Sequence, residues 1–383
     1  MIRDEAMLSE LVAGVRRFVR ERLIPNEARL AAEERMPDEI MAEMRRMGLF
    51  GLSIPEEYGG LGLTMEEEVL VAFELGQTSP AFRSAFGTNN GIGAQGILMD
   101  GTPEQKAAWL PRLATGELIS SFALTEPEAG SDAASLRTQA RLDGDTYVLN
   151  GTKRYITNAP LASIFTVMAR TGAGGASGVT AFIVERSAPG LSVGTPERKM
   201  GQQGAPVADV VFEDCRVPAA NVIGLREGQG FRTAMKVLDR GRLHIAAVCV
   251  GTAERLIADS LRYAVERKQF GQPIAQFQLV QAMLADSRTE AYAARTMVLD
   301  AARRKDAGET VTTEASCAKL FASEMVGRVA DRAVQIHGGA GYIADYGIER
   351  FYRDVRLFRL YEGTSQIQQL IIARRMIAEL SGE

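Results

Sequence analysis

Cysteine, histidine and tryptophan are scarce in this chain of 383 residues, which holds three, two and one of them. Cys215, Cys249 and Cys317 stand far apart, and with His244 and His337 as the only histidines no metal-ligand spacing arises. Disulfides and structural zinc are therefore not expected, and the metal-binding set is none. No apolar run approaches the ~20 residues of a membrane helix, so stable membrane insertion is not expected either. Lysine and arginine number 44 against 48 aspartates and glutamates, a net charge of -4 with both signs interspersed. That balance lacks the basic footprint of a nucleic-acid binder, although it leaves room for a local site that takes a phosphorylated cofactor. Met1-Ile2-Arg3-Asp4-Glu5 carries neither a signal-peptide core nor an acid-poor transit composition, and the expected compartment is the cytoplasm. Internal repeats and low-complexity tracts are missing too.

What is present divides by period. From Leu8 to about Gly116 the pattern is helical, with Leu8, Leu11, Val12, Val15, Phe18 and Val19 on one apolar stripe. Pro25, Pro37, Pro55 and the turn Tyr58-Gly59-Gly60-Leu61-Gly62 punctuate this region, a helix is expected over Met65 to Leu75, and Thr102-Pro103 starts another. Around Ile119 the period becomes alternating. Strands are expected over Arg137–Leu142, Thr146–Leu149, Thr152–Thr157, Ile164–Ala169, Val179–Val184 and Val207–Phe212. Their separators, Asp143-Gly144-Asp145, Asn150-Gly151 and the Gly172 to Gly178 linker, suit hairpins of an antiparallel barrel or sandwich. The glycine-rich linker lacks both a P-loop lysine and the strand-to-helix setting of a dinucleotide site, which makes it a hairpin tip. After Gly228 helical periodicity returns, with helices expected near 231–266, 277–305 and 311–336 and a last one from Gln366. The fold class is thus mainly α with a central β domain, divided as 1–118 (helical), 119–226 (β) and 227–383 (helical bundle).

One short stretch combines a carboxylate, an aromatic ring and a glycine at a helix start: Leu360-Tyr361-Glu362-Gly363-Thr364-Ser365-Gln366-Ile367-Gln368. Ser365 and Gln368 have capping-box spacing, and Ile367, Leu370, Ile371, Ile377 and Leu380 recur at helical intervals. Gly363 lets a ligand approach the backbone, and Tyr361 can shield Glu362 from water and raise its pKa toward that of a useful base. A surface glutamate favoured by the helix dipole is the alternative.

Other stretches bear chemistry of lower specificity. In Phe122-Ala123-Leu124-Thr125-Glu126-Pro127-Glu128-Ala129-Gly130-Ser131-Asp132, Phe122 and Leu124 share a strand face, and the turn gathers backbone N–H groups with the Ser131 hydroxyl. In Lys153-Arg154-Tyr155-Ile156-Thr157-Asn158, alternation puts the Tyr155 ring and the Thr157 hydroxyl on one face. An ordinary strand accounts for either stretch by itself. Glu266-Arg267-Lys268-Gln269-Phe270-Gly271 followed by Phe277-Gln278 supplies an arginine fork suited to pyrophosphate, or simply a charged helix end. Gln335-Ile336-His337-Gly338-Gly339-Ala340-Gly341-Tyr342 permits close backbone approach or a helix cap, with His337 a spacer or core residue.

Taken together these stretches resemble the acyl-CoA dehydrogenases, and the Tyr361-Glu362-Gly363-Thr364 segment matches their base-bearing segment almost letter for letter. The resemblance implies FAD as cofactor, contacted by Phe122, Leu124, Thr125, Ser131, Tyr155, Ile156, Thr157, Thr364 and Gln366. It further implies that Arg267, Phe270, Gln278, Gln335, Gly338 and Gly339 reach the FAD of a neighbouring subunit in a homotetramer. Many relatives have tryptophan where Tyr155 stands. Asp239-Arg240-Gly241-Arg242 resembles the segment that contacts the CoA portion, which assigns Asp239 and Arg242, with Ser131, Tyr361 and Gly363, to the substrate. Some relatives carry their base at the position of Gly241, which has no side chain to offer, and this leaves Glu362 as the catalytic base. The implied reaction is α,β-dehydrogenation of an acyl-CoA to the trans-2-enoyl-CoA, with Glu362 taking the α proton and an electron-transferring flavoprotein taking the electrons. The rival readings are an acyl-CoA oxidase, a glutaryl-CoA-type enzyme in which Arg83 receives a distal carboxylate, and a CoA-binding scaffold without redox activity.

Overall fold

The computed structural model describes residues 2–172 and 174–381. Seven helices come first: α1 (Glu5–Phe18), α2 (Glu27–Glu33), α3 (Asp38–Arg46), α4 (Met65–Leu75), α5 (Pro80–Asn90), α6 (Gln95–Asp100) and α7 (Pro103–Ala114). Their starts follow from local chemistry. Thr102 and Thr64 each close a capping box, with Gln105 and Glu67 respectively, and Pro103 and Pro80 occupy first-turn positions where no N–H is needed. On α1 the expected stripe turns inward, with Leu8, Val15 and Phe18 buried.

The strands are β1 (Ser120–Ala123), β2 (Gln139–Asp143), β3 (Thr146–Thr157), β4 (Ile164–Arg170), β5 (Val179–Glu185), β6 (Leu191–Val193) and β7 (Val207–Pro218). They form one sheet in the order β1-β4-β2-β3-β7-β6, with β5 added on β4. Most pairs are antiparallel, but β1 and β2 both run parallel to β4, Ser120 opposite Ile164 and Gln139 opposite Arg170. The two strands expected at 146–149 and 152–157 are one continuous β3. Asn150-Gly151 does not turn the chain; it is absorbed as an irregularity in the pairing with β7, and a second register shift falls between Lys153 and Ile156. The hairpin tip between β4 and β5 spans Ala173, outside the described residues.

The C-terminal half is α8 (Gly230–Glu266), a short hairpin of β8 (Lys268–Gln269) and β9 (Gln272–Pro273), α9 (Gln278–Asp306), α10 (Thr312–His337), α11 (Gly339–Tyr342), α12 (Ile348–Val355) and α13 (Ser365–Ser381). Small residues such as Ala246, Ala253, Ala318 and Ala322 line the core between these helices and let their axes approach. The α4 helix joins that core through Met65, Val69 and Phe73, and its first N–H groups are also capped by the Asp306 carboxylate at the end of α9 (2.8 and 2.9 Å). No helix among the described residues is long and apolar enough to cross a membrane. No group of three or more His, Cys, Asp or Glu side chains among them could hold a metal ion.

Candidate active site

A cavity of about 660 Å³ opens where α5, the ends of β1 and β3, α8 and the loop before α13 converge. Its size suits a small-molecule site. Of the residues singled out from the sequence, Phe122, Leu124, Thr125, Ser131, Tyr155, Ile156, Thr157, Arg242, Tyr361, Glu362 and Gly363 all line it, and Arg83 does too.

The wall made by β1 and β3 is cross-tied. Arg154 N–H donates to the Thr125 carbonyl (2.8 Å), and the Ser121 hydroxyl donates to the Thr157 carbonyl (2.7 Å). Beneath it Lys153, fully buried, donates to Glu126 (2.7 Å) and to the Leu124 carbonyl (3.1 Å). Glu126 also accepts from the N–H groups of Arg137 (2.5 Å) and Thr138 (2.9 Å). Strict alternation would turn Ile156 away from Tyr155 and Thr157. The register shift prevents this: Tyr155 takes φ +59°, and all three residues reach the cavity. Asn158, also left-handed, donates to the Ser84 carbonyl (2.7 Å) and the Thr88 hydroxyl (3.0 Å), which locks α5 against the end of β3.

Glu362 and Gly363 follow each other with φ of +52° and +89°. This turn is pinned from two sides. Lys319, buried on α10, donates to the Gly363 carbonyl (2.7 Å), and Gln368 Nε2 donates to the carbonyls of Glu362 and Gly363 (3.2 Å each). The helix cap differs from the sequence expectation: the Thr364 hydroxyl accepts the Ile367 N–H (3.2 Å), while Ser365 donates sideways to Glu324 (2.6 Å). One residue earlier suffices because Gln368 reaches back past Ser365 to the turn itself. Lys319 was not singled out from the sequence. Its signal is a lysine standing among Ala315, Ala318 and Ala322 on the buried face of a helix.

The Glu362 carboxylate meets α8 at Gly241, where a Cβ would fall 2.2 Å from Oε2. That oxygen is sealed from solvent and has no hydrogen-bond partner among the described residues. Burial pushes the Glu362 carboxyl above the usual carboxylate range, even though Arg83, Lys319 and Arg242 all pull it down. Desolvation outweighs three cations. Burial likewise pushes the Tyr361 phenol up, and its ring packs at a tilt on Phe358.

The remaining expected residues are not brought into this cavity. Asp239 accepts from Arg242 and, at 3.4 Å, from Thr312, so it braces a cavity residue and does not line the wall. Thr364 serves as the helix cap, and Gln366 faces outward. Arg267, Phe270 and Gln278 are exposed around the β8–β9 hairpin, and Gln335, Gly338 and Gly339 are exposed at the end of α10. His337 belongs to the core: its Nδ1 pairs with the Ala333 carbonyl (2.8 Å) and its ring stacks on Tyr263.

The wall's donor set fits a flavin ring. Phe122, Leu124, Tyr155 and Ile156 offer flat and apolar surface, Thr125 and Thr157 offer hydroxyls beside it, and Glu362, with its unpartnered oxygen, belongs to the same cavity lining.

Comparison with known proteins agrees. Residues 6–117, 121–215 and 228–377 match the N-terminal, middle and C-terminal domains of acyl-CoA dehydrogenases. The chain is 42% identical over 379 residues to the probable acyl-CoA dehydrogenase YngJ of Bacillus subtilis, covering 98% of this chain and 99% of that protein. It is 42% identical over 342 residues to CarC of Acetobacterium woodii, a subunit of a caffeyl-CoA reductase–Etf complex, covering 89% and 90% of the two. Among solved structures, butyryl-CoA dehydrogenase from Megasphaera elsdenii superposes with a TM-score of 0.94 at 35% identity, covering 98% of this chain and all of that one. With three domains matched in order and relatives similar over nearly its whole length, the chain belongs to the acyl-CoA dehydrogenase family of FAD-dependent oxidoreductases.

Proposed function

We propose that the protein removes the α and β hydrogens of an acyl-CoA thioester to give the trans-2-enoyl-CoA, with Glu362 as the base. The observation that carries this reading is the Glu362 Oε2 atom, buried and without a partner on a residue that lines the cavity. A thioester's α C–H is a weak acid, so its removal needs a carboxylate with a raised pKa and no competing hydrogen bond. Glu362 meets both conditions. Enolate charge that develops on the thioester oxygen would be stabilised by a fixed donor, and the Glu362 backbone N–H, in a turn pinned by Lys319 and Gln368, is the group assigned to it. Arg242, beside the base and braced by Asp239, together with Ser131, Tyr361 and Gly363, would bind the substrate. FAD, when bound, supplies the acceptor for the β hydride. Phe122, Leu124, Thr125, Tyr155, Ile156 and Thr157 would hold its ring, with Ser131, Thr364 and Gln366 assigned to the same cofactor.

The exposed Arg267, Phe270, Gln278, Gln335, Gly338 and Gly339 suit contacts to a cofactor in a second subunit, and a homotetramer is the assembly proposed. An electron-transferring flavoprotein is the proposed electron partner, supported by the likeness to CarC, whose name includes such a complex. A distal carboxylate on the substrate is the second reading, favoured by Arg83 on the cavity wall.

Anaerobic bleaching of the bound flavin by a panel of acyl-CoAs, varied in length and branching and including glutaryl-CoA, tests the reading. Glu362→Gln should slow bleaching by at least the ~10²–10⁴-fold that a general base contributes. A variant that bleaches at the wild-type rate removes Glu362 from the chemistry, and rapid reoxidation in air with peroxide release would make the protein an oxidase. Preference for glutaryl-CoA over neutral chains would select the second reading.

A further inference from the structure

One of the chain's two histidines lies behind the cavity in a buried chain of polar groups that joins three helices. Arg83 Nε on α5 donates to His244 Nε2 on α8 (2.9 Å), and His244 Nδ1 meets Glu68 Oε1 on α4 (2.8 Å). The second Glu68 oxygen takes a hydrogen bond from Arg240. An arginine can only donate, so His244 Nε2 must be the acceptor and the ring's single proton sits on Nδ1, pointed at Glu68. Beyond this bond the Arg83 guanidinium lies back along its own helix, where a Cβ on Gly87 would meet its Cζ at 2.7 Å. Arg83 and the unpartnered Glu362 share one cavity, yet no ion pair between them occurs among the described residues.

We propose that Glu68 and His244 are positioning residues that hold Arg83 off Glu362, leaving the cation in the cavity wall but out of contact with the base. The inference rests on the reading of Glu362 as that base. An untethered guanidinium beside a desolvated carboxylate would close into a fork of two charge-assisted hydrogen bonds. Such a pair would occupy the lone pairs needed for the α proton and draw the carboxyl's pKa down by about 1–3.

The tether does not release with pH. Burial works against the Glu68 carboxylate, but the charge of Arg240 and the His244 bond hold it at about 2. Burial and the neighbouring Arg83 push His244 below its ordinary value, so it stays neutral and Nε2 stays an acceptor. The charged and titratable groups facing His244 are thus Arg83 from α5, Glu68 from α4 and Arg240 on its own helix. Those facing Glu362 are Arg83 from α5, Arg242 from α8, Lys319 from α10 and its own neighbour Tyr361.

The test is a titration of Glu362 in the holoenzyme by infrared difference spectroscopy, using the protonated-carboxyl band that Glu362→Gln removes. It is run beside the pH dependence of flavin bleaching with the acyl-CoA that the wild type bleaches fastest. In His244→Phe both the band and the acid limb should move to lower pH by about 1–3, with turnover reduced and KM little changed. His244→Gln, which returns an acceptor to Arg83, should restore both. In an Arg83→Met background the added His244→Phe should move neither. Should His244→Phe fail to fold, Gly87→Ala dislodges the guanidinium by another route and must move the band in the same direction. No movement, movement to higher pH, or the same movement without Arg83 overturns the proposal. The infrared arm needs no turnover, so a wild type that bleaches with no acyl-CoA would sink the reading of Glu362 and still leave the tether to be judged.

Discussion

At the scale of single residues, the site depends on an atom that is missing. Gly241 and Glu362 are far apart in sequence, and the absent side chain of the first leaves the space that the carboxylate of the second occupies. Gly241→Ala should therefore separate stability from activity. Alanine in a helix interior is favoured over glycine by about 1 kcal/mol, whereas its Cβ, 2.2 Å from Oε2, must push the Glu362 carboxylate aside. A displacement of about 1 Å costs on the order of 10²-fold in rate. We expect flavin bleaching to fall by that factor while the thermal midpoint holds or rises, and a fully active variant would show that Glu362 is not confined as described. The same residue sets a pH dependence. A base works only when ionised, and burial raises Glu362, the proposed base, above its ordinary 4.5, so the acid limb of kcat/KM should lie above that value. Glu362 was legible in the sequence through its neighbours, but its opposition to Gly241 was not, because that contact joins two elements whose approach no local pattern encodes.

At the scale of elements, the proposed flavin wall is two strand ends clamped by one buried ion pair. Lys153 and Glu126 lie under Leu124, Thr125 and the register shift that turns Tyr155 into the cavity. Lys153→Met leaves Glu126 charged, buried and short of a partner, a defect that typically costs about 3–5 kcal/mol. Urea unfolding should show a loss of that size, and adding Glu126→Gln should recover part of it. The pair also makes an acid-sensitive joint. Burial opposes ionisation of Glu126, yet Lys153 and the backbone donors hold its carboxyl below the ordinary 4.5. The stability it contributes is present above that value and lost as pH falls through the lowered one. Wild type should thus lose more stability than Lys153→Met on acidification below about pH 4.5. A pH-independent difference between the two would contradict this account. Strand positions were readable from alternation, but the continuity of β3 was not: Asn150-Gly151 has hairpin chemistry, and pairing along β7 overrides it.

At the scale of the whole molecule, the single chain leaves much apolar surface bare. Phe270 is 93% exposed, Leu380 91%, and Leu279 and Tyr342 82% each. The stripe expected on the last helix divides: Ile367, Leu370 and Ile371 line the cavity, whereas Ile377 and Leu380 are exposed, and of that helix only Ser365 and Gln368 are buried. Bare apolar surface of this kind marks interaction sites. The proposed homotetramer predicts sedimentation at about four times 41.5 kDa, and dissociation toward smaller species in a Phe270→Asp, Leu380→Asp variant. A wild type that sediments as one chain would assign those surfaces to another partner.

Periodicity and local hydrogen bonding alone determined the succession of helices, strands and helices, the caps at Thr102 and the extents of α8, α9 and α10, because each depends on residues within a few positions of one another. The stretch around Glu362 was likewise marked by its own composition. Tertiary packing decided the rest: which cations surround that carboxylate, that Lys319 and Gln368 pin its turn, that a glycine makes room for it, and that a histidine and a glutamate restrain Arg83. Those features arise where helices from both ends of the chain meet in a low-dielectric interior, and there charge and space are set by neighbours in three dimensions that sequence spacing does not name.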